Sequence, residues 1–178
     1  MLRGSRVLPV LAFVASCGRL GFDPALDSAS VDGRMGDSPD GTIGGPAIPG
    51  AVNRHACLIS KPVGATNFDS YSLCVAVDAR VLFYTATTAV QDYLYGPTVG
   101  LMSWHHLAIT WDGTTKRGYI DGVEVISKQV AISGDSQPIF IGADFVGGAP
   151  QEPTTGRIDE VYAFPRALSG TEIAQLAM

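Results

Sequence analysis

The side chains able to do covalent or metal chemistry are few, and their spacing keeps them apart. His105 and His106 are adjacent, so on a strand they point to opposite faces and cannot share one metal. His55 lies far away in the chain, with no obvious carboxylate companion. Asp159 and Glu160 are also neighbours, whereas cleaving a sugar linkage needs two carboxyl groups flanking the same bond. Cys17, Cys57 and Cys74 do not repeat at the C-x-x-C spacing of a zinc site. A Gly-x-Ser-x-Gly elbow and a phosphate-cradling glycine loop are both missing from the sequence. These residues point away from an enzyme and give the histidines structural roles. Aromatic residues remain. Rings stack on the apolar faces of sugars, and Tyr93 and Tyr95 in the loop-like stretch Val90–Pro97 are the best ligand-contact candidates. Phe145, in the Gly-rich stretch before Pro150, is a third. Packing of the tyrosines against their own loop is the competing role, and Trp104 and Trp111 read as core.

Positioning such residues requires a fold, and composition bounds it. The chain has 178 residues, 46% hydrophobic and 16% charged, with 21 Gly and 11 Pro. That suits one domain plus a tail and is too apolar for a disordered chain. A net charge of −5 disfavours binding to nucleic-acid backbone.

The N-terminus reads as an address. Arg3 and Arg6 precede the apolar stretch Val7–Val14, which is about half the ~20 residues needed to cross a bilayer. Val14-Ala15-Ser16-Cys17 then resembles the lipobox of bacterial lipoproteins, whose cysteine is acylated and becomes the first mature residue. The resemblance implies a signal peptide over 1–16, lipidation of Cys17 and a lipid anchor in the bacterial cell envelope. Gly18 in place of Asp favours the outer membrane if the host is Gram-negative. An ordinary signal peptide cut at the same place is the alternative. Residues 17–50 are rich in Asp, Gly, Ser and Pro without an apolar period, and read as a flexible tether rather than a calcium loop.

From Arg54 onward the apolar positions alternate, with turn signals about every ten residues, as expected of an antiparallel sandwich or barrel. The expected strands are Ala56–Ser60, Tyr71–Val77, Arg80–Thr85, Trp104–Trp111, Arg117–Asp121, Glu124–Lys128, Pro138–Gly142 and Arg157–Phe164. Leu107, Ile109 and Trp111 share one face of their strand, and Trp104, His106, Ala108 and Thr110 the other. Asp112-Gly113 and Asp121-Gly122 are tight-turn signals. Ser169-Gly170-Thr171-Glu172 is a capping box opening one late helix. Cys57 and Cys74 lie at nearly equal distances from the turn-rich Pro62–Asp69, so a hairpin sets them opposite each other and within reach of a disulfide. Two buried thiols are the alternative.

Ser103-Trp104-His105-His106-Leu107-Ala108-Ile109-Thr110-Trp111-Asp112-Gly113 resembles the central strand and turn of laminin G-like domains, members of the concanavalin A-like jelly-roll superfamily. Gly118–Val123, Ile139–Gly142, Gly156–Tyr162 and Arg166–Ile173 resemble the motifs that follow, in the same order. The resemblance implies an all-β antiparallel jelly-roll sandwich over 51–178 with one C-terminal helix. It lacks the family's opening strands, because only linker-like sequence precedes Arg54. Glycoside hydrolases of the superfamily carry E-x-D-x-E on one strand, which is missing here. Many members hold calcium at the sandwich edge. Asp159 matches an acidic position of the closing strand, so a structural Ca²⁺ there is the one cofactor implied, set against a plain surface acid. The functional expectation is a non-catalytic module binding glycan or protein through loops at one end of the sandwich. The alternative is a structural envelope lipoprotein whose open sheet edge a partner subunit completes, or a truncated gene product.

Overall fold

The structure, a computed structural model, describes residues 12–15, 55–64, 67–100, 103–154 and 156–178. Cys17 and the tether to residue 50 lie outside the described residues. Among the described residues twelve strands and one helix follow in order: β1 (Ala12–Ala15), β2 (Ala56–Pro62), β3 (Asp69–Val75), β4 (Arg80–Ala86), β5 (Gln91–Thr98), β6 (Leu107–Trp111), β7 (Thr115–Ile120), β8 (Val123–Gln129), β9 (Phe140–Ile141), β10 (Asp144–Val146), β11 (Ala149–Gln151), β12 (Val161–Phe164) and α1 (Gly170–Leu176). A five-stranded sheet runs β5-β4-β3-β2-β9 and a three-stranded sheet runs β6-β7-β8, all antiparallel.

The two sheets bury their facing apolar residues against each other. Leu58, Ile59, Leu73, Val75, Val81 and Phe83 of the larger sheet meet Leu107 and Ile109 of the smaller one in one core. The expected alternation in β6 holds: Ala108 turns the other way and packs with Tyr119, Leu168 and Ile173 beneath α1. The capping box is formed, with Ser169 Oγ accepting from the Glu172 N–H and the Glu172 carboxylate accepting from the Ser169 N–H at 2.8 Å. Ile120 pairs with Val123 around Asp121 (φ 51°) and Gly122 (φ 79°), the two left-handed residues that a type I′ turn requires.

One contact sets the spacing of the layers. A Cβ placed on Gly118 would lie 2.4 Å from the ring of Phe83, so β7 can approach β4 closely only because that residue has no side chain. Beside it, Lys116 is fully buried in the same interior. Its ammonium donates to the Phe83 carbonyl (2.7 Å), Thr85 Oγ1 (3.1 Å) and Asp92 Oδ1 (2.8 Å). Burial lowers the lysine pKa and the contact with Asp92 opposes that shift. A buried cation is tolerated when it is paired and hydrogen-bonded in this way.

Several elements differ from the sequence expectation, among them the hairpin β10–β11, which none of the expected strands covers, and β6, which starts at Leu107 rather than Trp104. Gln91–Thr98 is strand β5 rather than a loop, paired along β4. The last strand begins at Val161 because Glu160 holds φ at 52°. The place ahead of Arg54 that seemed to lack strands has an occupant from further upstream. Strand β1 pairs antiparallel with β12, Ala12 opposite Phe164 and Ala15 opposite Val161, and runs beside β6. This is the segment that reads in sequence as the apolar part of a leader.

Replacing Gly118 by Ala should force Phe83 aside in a packed core, costing roughly 1–3 kcal/mol. Denaturant unfolding of the variant should show a lowered midpoint with the fold retained.

Candidate functional site

Side chains that alternate inward must alternate outward too. With Phe83 turned into the core, Arg80, Leu82 and Tyr84 of β4 face the other side of the five-stranded sheet. The cross-strand register continues this outer face. Ser60, Ser72, Tyr84 and Tyr93 form one row, and Cys57, Cys74, Leu82 and Tyr95 the next. Cys57 and Cys74 are joined by the disulfide, as the hairpin geometry predicted. That bond fastens β2 to β3 beneath the second row.

Two of the three aromatic candidates sit on this face. Tyr93 and Tyr95 are 52% and 36% exposed, two residues apart on the edge strand β5. The ring of Tyr93 meets buried Tyr84 edge-on at 4.9 Å, and the guanidinium of Arg80 lies 4.5 Å from the centre of the Tyr95 ring. The His55 ring stands 6.3 Å from Tyr95. Both tyrosines are therefore held on a sheet rather than carried on an end loop. Phe145 is on β10, stacked parallel on Phe140 at 4.4 Å. That hairpin, β10–β11, lies against β2. It is tied there by Ser60 Oγ donating to the Ala143 carbonyl (3.1 Å), the Cys57 N–H donating to the Glu152 carbonyl (3.0 Å) and Thr154 Oγ1 donating to the Cys57 carbonyl (2.7 Å).

The acids beside this platform carry no mark in the sequence pattern. Between Lys61–Tyr71 and Pro62–Asp69 the register shifts by one residue, leaving Ser70 as a bulge. A bulge re-aims its neighbour, and Asp69 shares the outer face with Ser72 and Asp144. Burial, then the charge of Asp144, raise its pKa from 3.8 to about 8. A side-chain hydrogen bond between the two carboxyl groups acts on Asp69 in the same direction. Tyr93 is felt by the same surroundings: burial, Tyr95, Glu152 and Asp69 all raise its phenol pKa.

The remaining chemistry-bearing residues lie elsewhere. His105 bridges Ser103 and Asp121, with Nε2 at 2.9 Å from Ser103 Oγ and Nδ1 at 2.8 Å from Asp121 Oδ2. Asp121 Oδ1 also accepts from the His106 N–H at 2.9 Å. The order resembles a nucleophilic triad. However, Ser103 Oγ also donates to the Gly100 carbonyl at 3.1 Å, and the Asp121 side chain is half exposed. The chain of contacts clamps the type I′ turn to the start of β6. His106 is buried with neither ring nitrogen partnered among the described residues, and burial lowers its pKa, favouring neutral imidazole. Asp159 is exposed and its Oδ1 accepts from the Glu160 N–H. Among the described residues no three His, Cys, Asp or Glu side chains are grouped to hold a metal.

A family model for laminin G-like domains of the concanavalin A-like lectin/glucanases superfamily matches residues 48–174. The chain belongs to this family. No curated protein matches it. Among solved structures, the CBM40 domain of the Ruminococcus gnavus IT-sialidase superposes with a TM-score of 0.65 at 12% identity, covering 96% of this chain and 84% of that one. The same domain bound to α2,3-sialyllactose gives 0.63 at 13%, covering 98% and 87%. A heptameric SAP-like pentraxin from Limulus polyphemus gives 0.57 at 17%, covering 96% and 73%. At these identities the likeness establishes the jelly-roll fold.

The proton on Asp69 links this face to stability. A carboxyl whose pKa is higher in the folded chain than in the unfolded one stabilises the fold most at low pH, and loses that contribution as pH rises through the folded value. Between 3.8 and about 8, raising the pH should therefore lower the urea midpoint. Asp69→Asn should flatten this dependence, as measured by urea titrations across that range.

Proposed function

We propose that this protein is a non-catalytic carbohydrate-binding module whose binding surface is the exposed β5 edge of the five-stranded sheet. The observation that carries the reading is the exposed pair Tyr93 and Tyr95, supported from below by Tyr84 and the Cys57–Cys74 bond and flanked by Arg80. Such a pair offers two adjacent rings of fixed orientation, and fixed aromatic anchors contribute contact area at small entropic cost. The hairpin carrying Phe145 forms the opposite wall. The superposing CBM40 domain bound to sialyllactose supports a glycan rather than a protein ligand. Neither the His105 chain of contacts nor the acidic pattern supplies a hydrolytic site, so the role is recognition.

Lipid attachment completes the proposal. Acylation of Cys17 would hold the module at the bacterial envelope, facing the outer membrane's surroundings in a Gram-negative host, with residues 18–50 as its tether. Anchoring by two or more chains is firm where one is reversible. Calcium at Asp159 is not part of this reading. A second reading draws on β1. Cleavage before Cys17 removes Ala12–Ala15 and exposes the edge of β12 with which they pair, a place that a strand from an envelope partner could complete by β-augmentation.

Glycan binding should weaken about tenfold in Tyr93→Ala and in Tyr95→Ala, which corresponds to roughly 1.4 kcal/mol each. Titration calorimetry on an array-selected sugar checks this, with unchanged near-ultraviolet spectra as the folding control. Metabolic labelling with a palmitate analogue should mark the wild-type chain and not Cys17→Ser. Co-purification of the labelled protein with a stoichiometric strand-donating subunit, without any sugar signal, would favour the second reading.

A further inference from the structure

Strand β6 stands at one end of the ladder β6-β7-β8 and β8 at the other, yet the two ends are not alike. No residue of β8 is buried, as expected of a free edge. Leu107, Ala108, Ile109 and Thr110 of β6 form an unbroken run in which none is more than 3% exposed. Backbone N–H and C=O groups so deeply covered need partners on both sides of the strand, and β7 serves one side only. Strand β1 takes the other. It runs beside β6 and pairs with β12, Ala12 to Ala15 opposite Phe164 to Val161. Val161 and Ile158 pack against the same core as Leu107 and Ile109, so β12 belongs to the smaller layer, whose strands lie in the order β8-β7-β6-β1-β12. Taking β1 away leaves β6 and β12 two strand spacings apart, roughly 10 Å, with both facing edges unpaired.

We propose that the gap between β6 and β12 is a strand-binding slot, filled by residues 12–15 of the same chain until the leader is removed and open thereafter to a short apolar strand. The chemistry of the ligand is that of the segment seated there: Ala-Phe-Val-Ala carries no charge and no proline. Proline is excluded because a strand paired on both sides needs its backbone donors. Ser16 alone separates this segment from Cys17, so cleavage before Cys17 carries the whole strand away. That unmasking step rests on the processing proposed above. The slot goes beyond the β12 edge considered there, because it has a second wall in β6 and a defined class of ligand.

The test uses the full-length Cys17→Ser chain, made by cell-free synthesis so that the leader is retained. Val14→Cys combined with Tyr162→Cys, opposite in register and at a position 41% exposed, should oxidise to an intramolecular cross-link. Val14→Cys combined with Val123→Cys, on the far strand β8, should not. Absence of the first cross-link, or equal yields of the two, overturns the placement. A protease site introduced within residues 20–30 then allows the leader to be cut from the folded chain and washed away in mild denaturant. Hydrogen exchange of the β6 amides directed away from β7 should quicken at least about tenfold and slow again when a synthetic peptide of residues 10–16 is added. The same peptide carrying Phe13→Pro should not slow it. Exchange in β6 indifferent to loss of the leader, or restored equally by both peptides, overturns the inference. Where loss of the leader unfolds the whole sandwich, recovery with the unmodified peptide supports the slot and failure to recover overturns it. Because the engineered cut replaces natural processing, the slot is judged separately from lipid labelling of Cys17 and from sugar binding.

Discussion

The contact of the Phe83 ring with the bare backbone of Gly118 is the constraint on which the rest of the molecule depends. It fixes how near the two sheets stand, and it fixes which side of β4 points inward. Because strand side chains alternate with a period of two, that choice also decides what the opposite surface displays. Leu82 and Tyr84 become the floor of a platform, and Arg80 becomes its rim. The register with β5 then brings Tyr93 and Tyr95 over that floor. The outer surface is thus a consequence of core packing two atoms' width away, on the other side of one strand.

Irregularities in the sheet give the surface its chemical character. An extra residue near Leu58 lets both Leu58 and Ile59 enter the core while Cys57 still reaches Cys74. A second irregularity, at Ser70, turns Asp69 outward toward Asp144. A regular ladder would have sent Asp69 into the interior with Tyr71, where an acid has no place. The hairpin β10–β11 closes this corner, held by hydrogen bonds to β2 rather than by a large apolar contact.

Much of this was legible in the chain. The alternation in β6, the Asp-Gly turn, the capping box and the opposed cysteines each depend on local rules, and each reads correctly from neighbouring residues. What escaped depended on distant partners. Strand β5 places Asp92 on its inward side, so its pattern looks like a polar loop until Lys116 supplies the partner. The tyrosines were found by type but assigned to a loop for the same reason. Asp69, Asp144 and Arg80 were missed because a one-residue register shift leaves no mark in composition, and because Asp144 comes from a hairpin far along the chain. The pairing of Ala12–Ala15 with β12 was likewise not legible, since these apolar residues suit a leader and a strand alike.

The ammonium buried between the layers acts as a proofreader for strand alignment. If β7 slid by one residue against β6, Lys116 would swing out to water and Arg117 would be driven inward, as every side chain on a shifted strand changes sides. Asp92, Thr85 and the Phe83 carbonyl would lose their shared donor. Splitting a buried ion pair costs roughly 3–5 kcal/mol, comparable to a large part of a small domain's whole stability. Misaligned sandwiches of this sequence are therefore penalised at a single atom, the lysine nitrogen, whatever their greasy surfaces would otherwise allow.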